Sequence, residues 1–189
     1  DCKECTDGQI HNNDSAEDLR TVNLTRVHVL SGPVYVNGVE PGDLLVVDIL
    51  DVGAHQESEW GFNGIFAKEN GGSFLTDEYP EAAKSIWDFE GIYTTSRHVP
   101  GVKFAGLIHP GLIGVATSME LLQKWNEREQ ALIDTDPNRV PALANPPSEE
   151  SVVLGHLEGA EFDRIAKEGA RTVPPRESGG NCDIKNLSK

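Results

Sequence analysis

The sequence DLLVVDILDV at residues 43–52 decides the fold that we expect for this chain. Its Val, Ile and Leu residues fall on both faces of an extended segment, a pattern typical of a β-strand that is covered on two sides. The preceding residues 40–43 (EPGD) place proline and glycine where a type II turn requires them. We therefore predict a buried strand in the middle of a sandwich or barrel, where the carboxylate of Asp48 needs a partner or a strand-end position.

Short strands and a few helices are expected around this segment. The alternating residues 27–39 predict two strands. Further predicted elements are strands at 91–96, 102–108 and 112–116, and helices at 79–87, 117–133 and 159–170. Thr117 and Glu120 form a capping box at the start of the longest helix, and the proline-rich residues 138–147 predict an extended connection. Because regular βαβ alternation is missing, we predict a mainly-β sandwich with inserted helices, as a single domain over residues 1–189.

The charge of the chain limits the partners that it can bind. With 16 basic and 31 acidic residues the net charge is −15, which disfavours nucleic acid and anionic membranes. No apolar run approaches the ~20 residues that a membrane helix needs, and no export signal is visible. A neutral small molecule is the substrate class that suits this composition. Since the chain starts at Asp1 rather than at Met, we expect a fragment.

The three cysteines do not form a disulfide framework, and they indicate a reducing compartment. Cys2 and Cys5 make a CxxC pair, but a structural zinc site needs four ligands and no second pair is present. Cys182 lies within a glycine-rich polar segment, where a nucleophilic role with His109 as base stays open beside a plain structural role.

The segment PPRESGGNCDIK at residues 174–185 concentrates more polar groups than a core needs. Gly179 and Gly180 allow positive φ and a close approach of the backbone to another group. A solvated turn has a similar composition, so the residue types leave a turn and a site both open. His109, in IHPGLIG between two predicted strands, would face a cleft as a ligand or general base, or be a histidine hydrogen-bonded at a turn.

Three long stretches carry a resemblance to a known family. They are EWGFNGIFAKENGGSFLTD (59–77), IWDFEGIYTTSRHVPGVKFAGLIHPGLIGVA (86–116) and ARTVPPRESGGNCDIKNL (170–187). With these and further stretches, the sequence resembles the acetamidase/formamidase family over nearly its whole length. The resemblance implies a hydrolase that cleaves the C–N bond of small linear amides, chiefly formamide to formate and ammonia. It also implies a mainly-β sandwich, homo-oligomerisation and a cytoplasmic location.

The resemblance also implies which residues form the site. The positions that match the family's motifs are Glu4, His109, Glu177, Gly179, Gly180, Asn181 and Asp183. Catalytic roles are implied for Glu177, Asn181, Asp183 and His109. We expect a divalent metal, zinc first, to be bound by Glu4 and Asp183 and to polarise the amide carbonyl. Asn181 or the glycine amides would stabilise the oxyanion. Ser178 departs from the family, because many relatives carry His at this position.

A second function class stays open. The same residues are compatible with a non-catalytic fragment that serves as a binding or oligomerisation module of the same fold. The distinguishing sequence feature is a Gly-Asp-x-His segment, which family members carry beyond the position of Lys189.

Overall fold

The computed structural model describes residues 5–72, 74–138 and 145–188 of the 189-residue chain. Its helices and strands, in chain order, are α1 (Glu17–Thr21), β1 (Trp60–Ile65), β2 (Ala83–Glu90), β3 (Tyr93–Ser96), β4 (Lys103–Ala105), β5 (Leu112–Gly114), α2 (Met119–Thr135), α3 (Gly159–Ala166) and β6 (Gly179–Asn181). Short 3₁₀ turns lie between some of them.

The described strands form two antiparallel sheets. In the first, β1 to β4 lie side by side in sequence order, and in the second β5 pairs with β6. The first sheet is a meander of neighbouring strands, whereas the second joins segments that are far apart in the sequence. The predicted mainly-β fold is confirmed. None of the helices in the described ranges is long and apolar enough to cross a membrane.

The prediction of a buried strand at residues 43–52 is wrong. These residues have no regular secondary structure, and the exposed fraction is 90% for Leu44, 75% for Val46 and 80% for Leu50. A strand that is apolar on both faces needs neighbouring strands on both sides, and none of the described strands pairs with this segment in a sheet. The two strands predicted at residues 27–39 are also absent from the structure, although Val27 remains buried.

The predicted helix at residues 79–87 is wrong as well. Strand β2 occupies most of this region and lies between β1 and β3, with Ile86 opposite Phe62. Ile86 is fully buried. Its partners on both sides satisfy the backbone hydrogen bonds of β2, so pairing overrides the local helix signal from Pro80.

Several other elements agree with the sequence. Strands β3, β4 and β5 lie within the predicted ranges, and α3 begins at the predicted residue 159 but ends earlier, at Ala166. Helix α2 begins at Met119, and the Ser118 hydroxyl caps it by accepting a bond of 3.2 Å from the N–H of Leu121. The predicted capping box at Thr117 is therefore wrong. Residues 139–144 of the predicted connection lie outside the described residues.

The N-terminal segment packs against the first sheet and builds the main described core. The buried members of this core are Ile10, Leu19, Val22, Leu24 and Val27, and the partly buried Phe62 and Phe66 of the β1 region pack against them. Burial of apolar side chains stabilises this contact by about 25 cal/mol for each Å² removed from water.

A buried lysine joins the same segment to β2. The Lys84 side chain is 1% exposed, and its Nζ donates to Asp18 Oδ2 at 2.7 Å, to the His11 carbonyl at 3.0 Å and to Asn13 Oδ1 at 3.0 Å. Burial raises the pKa of Asp18, but the hydrogen bonds from Lys84 and from the N–H of His11 outweigh it and hold that pKa below its usual value. The ammonium group is thus fully compensated.

The segment that leads into β6 is tied to the N-terminal residues. Arg171 is buried, and its Nη2 donates to the Leu24 carbonyl at 3.0 Å, while its Nη1 donates to the Asn145 carbonyl at 3.2 Å. The N–H of His28 donates to Thr172 Oγ1 at 3.1 Å. These bonds fix the start of the polar segment relative to the main core.

The exposed apolar residues near position 44 allow a direct test. Because Leu44 and Leu50 contribute to an apolar surface, the 189-residue chain should bind the dye ANS, and replacing both by Ser should lower the dye fluorescence about twofold. The free energy of unfolding should change by less than about 0.5 kcal/mol per site. Leu19→Ala is the buried control and should cost about 2–5 kcal/mol in chemical denaturation. An equally large loss at Leu44 would contradict its exposure.

Candidate active site

Strands β5 and β6 bring together two motifs that are far apart in the sequence. Leu112 lies opposite Asn181, and Gly114 lies opposite Gly179. Because the pairing is antiparallel, the residues that precede Leu112 lie beside those that follow Asn181. The His109 turn and Asp183 therefore meet at one end of this ladder.

Backbone contacts lock the two motifs at that end. The N–H of Asp183 donates to the Gly111 carbonyl at 3.1 Å, and Asp183 itself has a positive φ of 48°. A Cβ added to Gly111 would lie 3.4 Å from Asp183 Oδ1. Because Gly111 has no side chain, there is room for this carboxylate beside the turn. Left-handed backbone at a residue other than glycine is uncommon and is enriched at functional sites.

His109 is oriented by the turn in which it lies. Its Nδ1 accepts a hydrogen bond of 3.2 Å from the N–H of Gly111. When Nδ1 accepts, the neutral ring carries its proton on Nε2. The half-buried ring can therefore donate a hydrogen bond from Nε2, while its other nitrogen is already engaged. This arrangement supports a role as hydrogen-bond donor better than the predicted role as general base.

The glycine pair allows the two strands to approach closely. Gly179 and Gly180 have φ values of 99° and 96°. A Cβ on Gly179 would lie 2.7 Å from the Ile113 carbonyl oxygen, and a Cβ on Gly114 would lie 2.9 Å from the Ser178 carbonyl oxygen. Both distances are too short for a side chain, so glycine is required on each strand.

Asn181 and Asp183 keep their side-chain polar atoms available. Within the described part of the chain, neither the Asn181 amide nor the Asp183 carboxylate has a side-chain hydrogen bond. Asn181 is half-buried and Asp183 is exposed. Cys182, between them, is an exposed free thiol. The end of the ladder therefore carries one amide, in β6, and one carboxylate whose backbone is bonded to the turn after His109.

Glu177 is placed differently from these residues. Its Oε2 accepts a bond of 2.7 Å from Trp125 Nε1, and its Oε1 accepts one of 2.7 Å from Arg128 Nη1. The Arg128 guanidinium, more than the other contacts, lowers the pKa of Glu177 to about 2. A carboxylate that binds protons so weakly is a poor general base near neutral pH.

Helix α2 contacts the same turn a second time. The Arg176 guanidinium lies 5.7 Å from the centre of the Trp125 ring and is paired with the buried carboxylate of Glu129. Arg128 and Glu129 were not among the predicted site residues. The sequence does contain a signal for Glu129. This charged residue continues the buried face of α2 that Leu122 and Trp125 form, so it needs a partner of opposite charge.

The metal prediction gains no support from the described residues. Within residues 5–72, 74–138 and 145–188, no group of three or more His, Cys, Asp or Glu side chains could hold a metal ion. Of the two predicted ligands, Asp183 lies in the site and Glu4 lies outside the described residues. Asp183 alone does not make up a ligand set for a metal ion.

Comparison with known proteins gives a consistent result. The acetamidase/formamidase family model matches residues 1–189. The chain is 66% identical to a formamidase of Methylophilus methylotrophus over 189 residues, covering 100% of this chain and 46% of the relative. It is 59% identical to an acetamidase of Mycolicibacterium smegmatis over 196 aligned residues, covering 100% of this chain and 48% of that protein. The chain therefore spans about half the length of the curated relatives that it matches.

A solved structure supports the fold. The chain is similar to the gamma lactamase from Delftia acidovorans, with a TM-score of 0.91 and 62% sequence identity. The superposition covers 98% of this chain and 45% of the lactamase chain.

Proposed function

Because the chain belongs to the acetamidase/formamidase family, we propose that the complete protein hydrolyses the C–N bond of small linear amides, with formamide as the first substrate. A relative named formamidase has the higher identity of the two described above, which supports formamide over acetamide. The observation that carries the proposal is the β5–β6 ladder, which pairs Asn181 with Leu112 and is followed by the bond of Asp183 to Gly111 in the turn after His109.

Hydrolysis of formamide requires three events at the reacting carbon. Water adds to the carbonyl carbon and loses a proton, the carbonyl oxygen becomes an oxyanion, and the C–N bond breaks as the nitrogen gains a proton. The immediate products are formic acid and ammonia, and the acid then gives its proton to the ammonia, which leaves formate and ammonium. A site for this reaction needs a proton acceptor near the water and hydrogen-bond donors near the oxyanion.

The residues of the ladder suit these requirements. The Asp183 carboxylate would accept the proton of the attacking water and return it to the leaving nitrogen. The Asn181 side-chain amide and the Nε2–H of His109 would donate hydrogen bonds to the oxyanion. The predicted catalytic role of Glu177 becomes a role in holding the site, because both of its oxygens are bound to α2.

A divalent metal remains a proposal, with zinc as the first candidate and Glu4 and Asp183 as candidate ligands. When bound, such an ion polarises a carbonyl and lowers the pKa of a bound water. Homo-oligomerisation and a cytoplasmic location are also proposals that follow from the family alone.

Two variants of the complete protein test the function. Asp183→Asn should lower kcat for formamide about 100-fold, because the proton acceptor is removed, and Asn181→Ala should lower it by a similar factor by removing an oxyanion donor. Ammonia release measures the rate. Metal analysis of the wild type and of Asp183→Asn tests whether Asp183 binds a metal ion.

Cys182→Ser is the matched control between these two positions, and it should keep at least half of the activity. Loss of activity in this variant would indicate a cysteine nucleophile instead. Undiminished activity in Asp183→Asn and Asn181→Ala would overturn the assignment of the site, and a protein without any amidase activity would favour the binding or oligomerisation module.

A further inference from the structure

The turn that leads into β6 is fastened to α2 by side chains on both sides of the contact. Glu177 receives hydrogen bonds from Trp125 and Arg128, and Arg176 pairs with Glu129. We call these five residues the α2 clamp. It contains two arginines and two glutamates, so its formal charges balance.

The helix side of the clamp is well anchored. Trp125 and Glu129 are both buried, and they lie on the same face of α2 as the buried Leu122. Helix α2 is 17 residues long and its N-terminus is capped, so it offers the turn a regular, stabilised surface to bind.

The turn side of the clamp is connected to the site through the backbone. The N–H of Arg176 donates to the Gly179 carbonyl at 2.8 Å, and the N–H of Gly179 donates to the Arg176 carbonyl at 3.0 Å. The Ser178 carbonyl then accepts from the N–H of Val115 at 3.0 Å, directly after β5. A displacement of Glu177 therefore moves both strands of the ladder.

We propose that Glu177 is a positioning residue of the amidase site, whose carboxylate fixes the 176–179 turn against α2 and thereby sets the positions of Asn181 and Asp183. That the site is an amidase site rests on the proposed function. The connection between Glu177 and β6 rests on the contacts of the turn alone. The link matters because Gly179 and Gly180 are conformationally permissive and bring no side chains of their own, so the clamp adds side-chain contacts to a strand that is held by its backbone bonds to β5.

A general base would require something else of Glu177. It would take up a proton from water most readily on an oxygen without another donor, whereas each oxygen of Glu177 already accepts a hydrogen bond from α2. The low pKa of this carboxyl agrees with that arrangement.

Variants of the complete protein separate the two roles. Glu177→Gln keeps an acceptor for Trp125 and should lower kcat about threefold with an unchanged pH profile, whereas Glu177→Ala should lower it about 30-fold. Arg128→Met combined with Glu177→Ala should be no worse than Glu177→Ala alone, because both changes break the same contact. A loss of 100-fold or more in Glu177→Gln, together with the loss of one limb of the pH profile, would overturn the proposal.

A measurement without substrate tests the clamp independently of the activity. In Glu177→Ala, hydrogen exchange at the backbone N–H groups of Gly179 and Val115 should be at least tenfold faster than in the wild type. Glu120→Ala is the matched control, because Glu120 is an exposed carboxylate on α2 that pairs only with Lys124 among the described contacts. Unchanged exchange in Glu177→Ala would overturn the clamp. Faster exchange in a protein that hydrolyses no amide would leave the clamp standing and would remove the proposed function.

Discussion

Replacing Lys84 by Met should lower the free energy of unfolding by about 3–5 kcal/mol, because it leaves the buried carboxylate of Asp18 without its cation. Asp18 would keep its bonds from the N–H groups of His11 and Leu19, but these do not balance a full negative charge. Chemical denaturation of the wild type and the variant measures the difference. The exposed pair of Lys68 and Asp77 provides the control, and Lys68→Met should cost less than about 1 kcal/mol.

The coupling between the two buried residues can be measured directly. Asp18→Asn combined with Lys84→Met should cost less than the sum of the single changes, because no buried charge then remains unpaired. Additive losses would show that the two residues do not interact.

The same pair gives stability a pH dependence of known sign. Since folding lowers the pKa of Asp18, its contribution is present above the unfolded pKa and is lost as the pH falls through the lower folded value. Asp18→Asn should therefore flatten the fall in stability on acidification.

Replacing Gly179 by Ala should be about as damaging. The residue has a φ of 99°, which costs an L-residue about 1–2 kcal/mol. The added Cβ would also lie 2.7 Å from the Ile113 carbonyl oxygen, and overpacking of this kind costs about 1–3 kcal/mol more. Because β6 would have to move away from β5, the proposed amidase activity of the complete protein should be lost as well.

Gly155→Ala separates the two causes. Gly155 has a φ of 62°, and no atom lies within 4 Å of the position that its Cβ would take. This variant should show the backbone penalty alone, and it should leave the activity near that of the wild type. Equal losses of stability in both variants would show that the contact with Ile113 adds nothing.

Local sequence signals predicted strands β3, β4 and β5, although the partner of β5 is far away in the chain. The same signals predict no strand at β1 and favour a helix where most of β2 lies. Pro80 and the following alanines favoured a helix locally, but the strands on either side of β2 outweighed a preference of a few tenths of a kcal/mol per residue. In β3, which also lies between two strands, local preference and pairing favour the same structure.

The site was predicted in its residue types but not in its arrangement. The amides, carboxylates and glycines of residues 179–183 signalled a polar site, and the resemblance to a family named their roles. Neither showed that β6 pairs with β5, since a contact across about 70 residues leaves no periodic signal in either segment. The same reason explains why Arg128 was missed as a partner of Glu177.

The sequence by itself determined the family, the mainly-β class and the location of the glycine motif, because these depend on residue identity and short-range order. The tertiary structure decided which of the carboxylates are available for chemistry. Asp183 is left without a side-chain hydrogen bond in the described residues, whereas Glu177 is bound to α2. It also decided that the apolar residues 43–52 are exposed, because burial depends on what packs against a segment and not on its own composition.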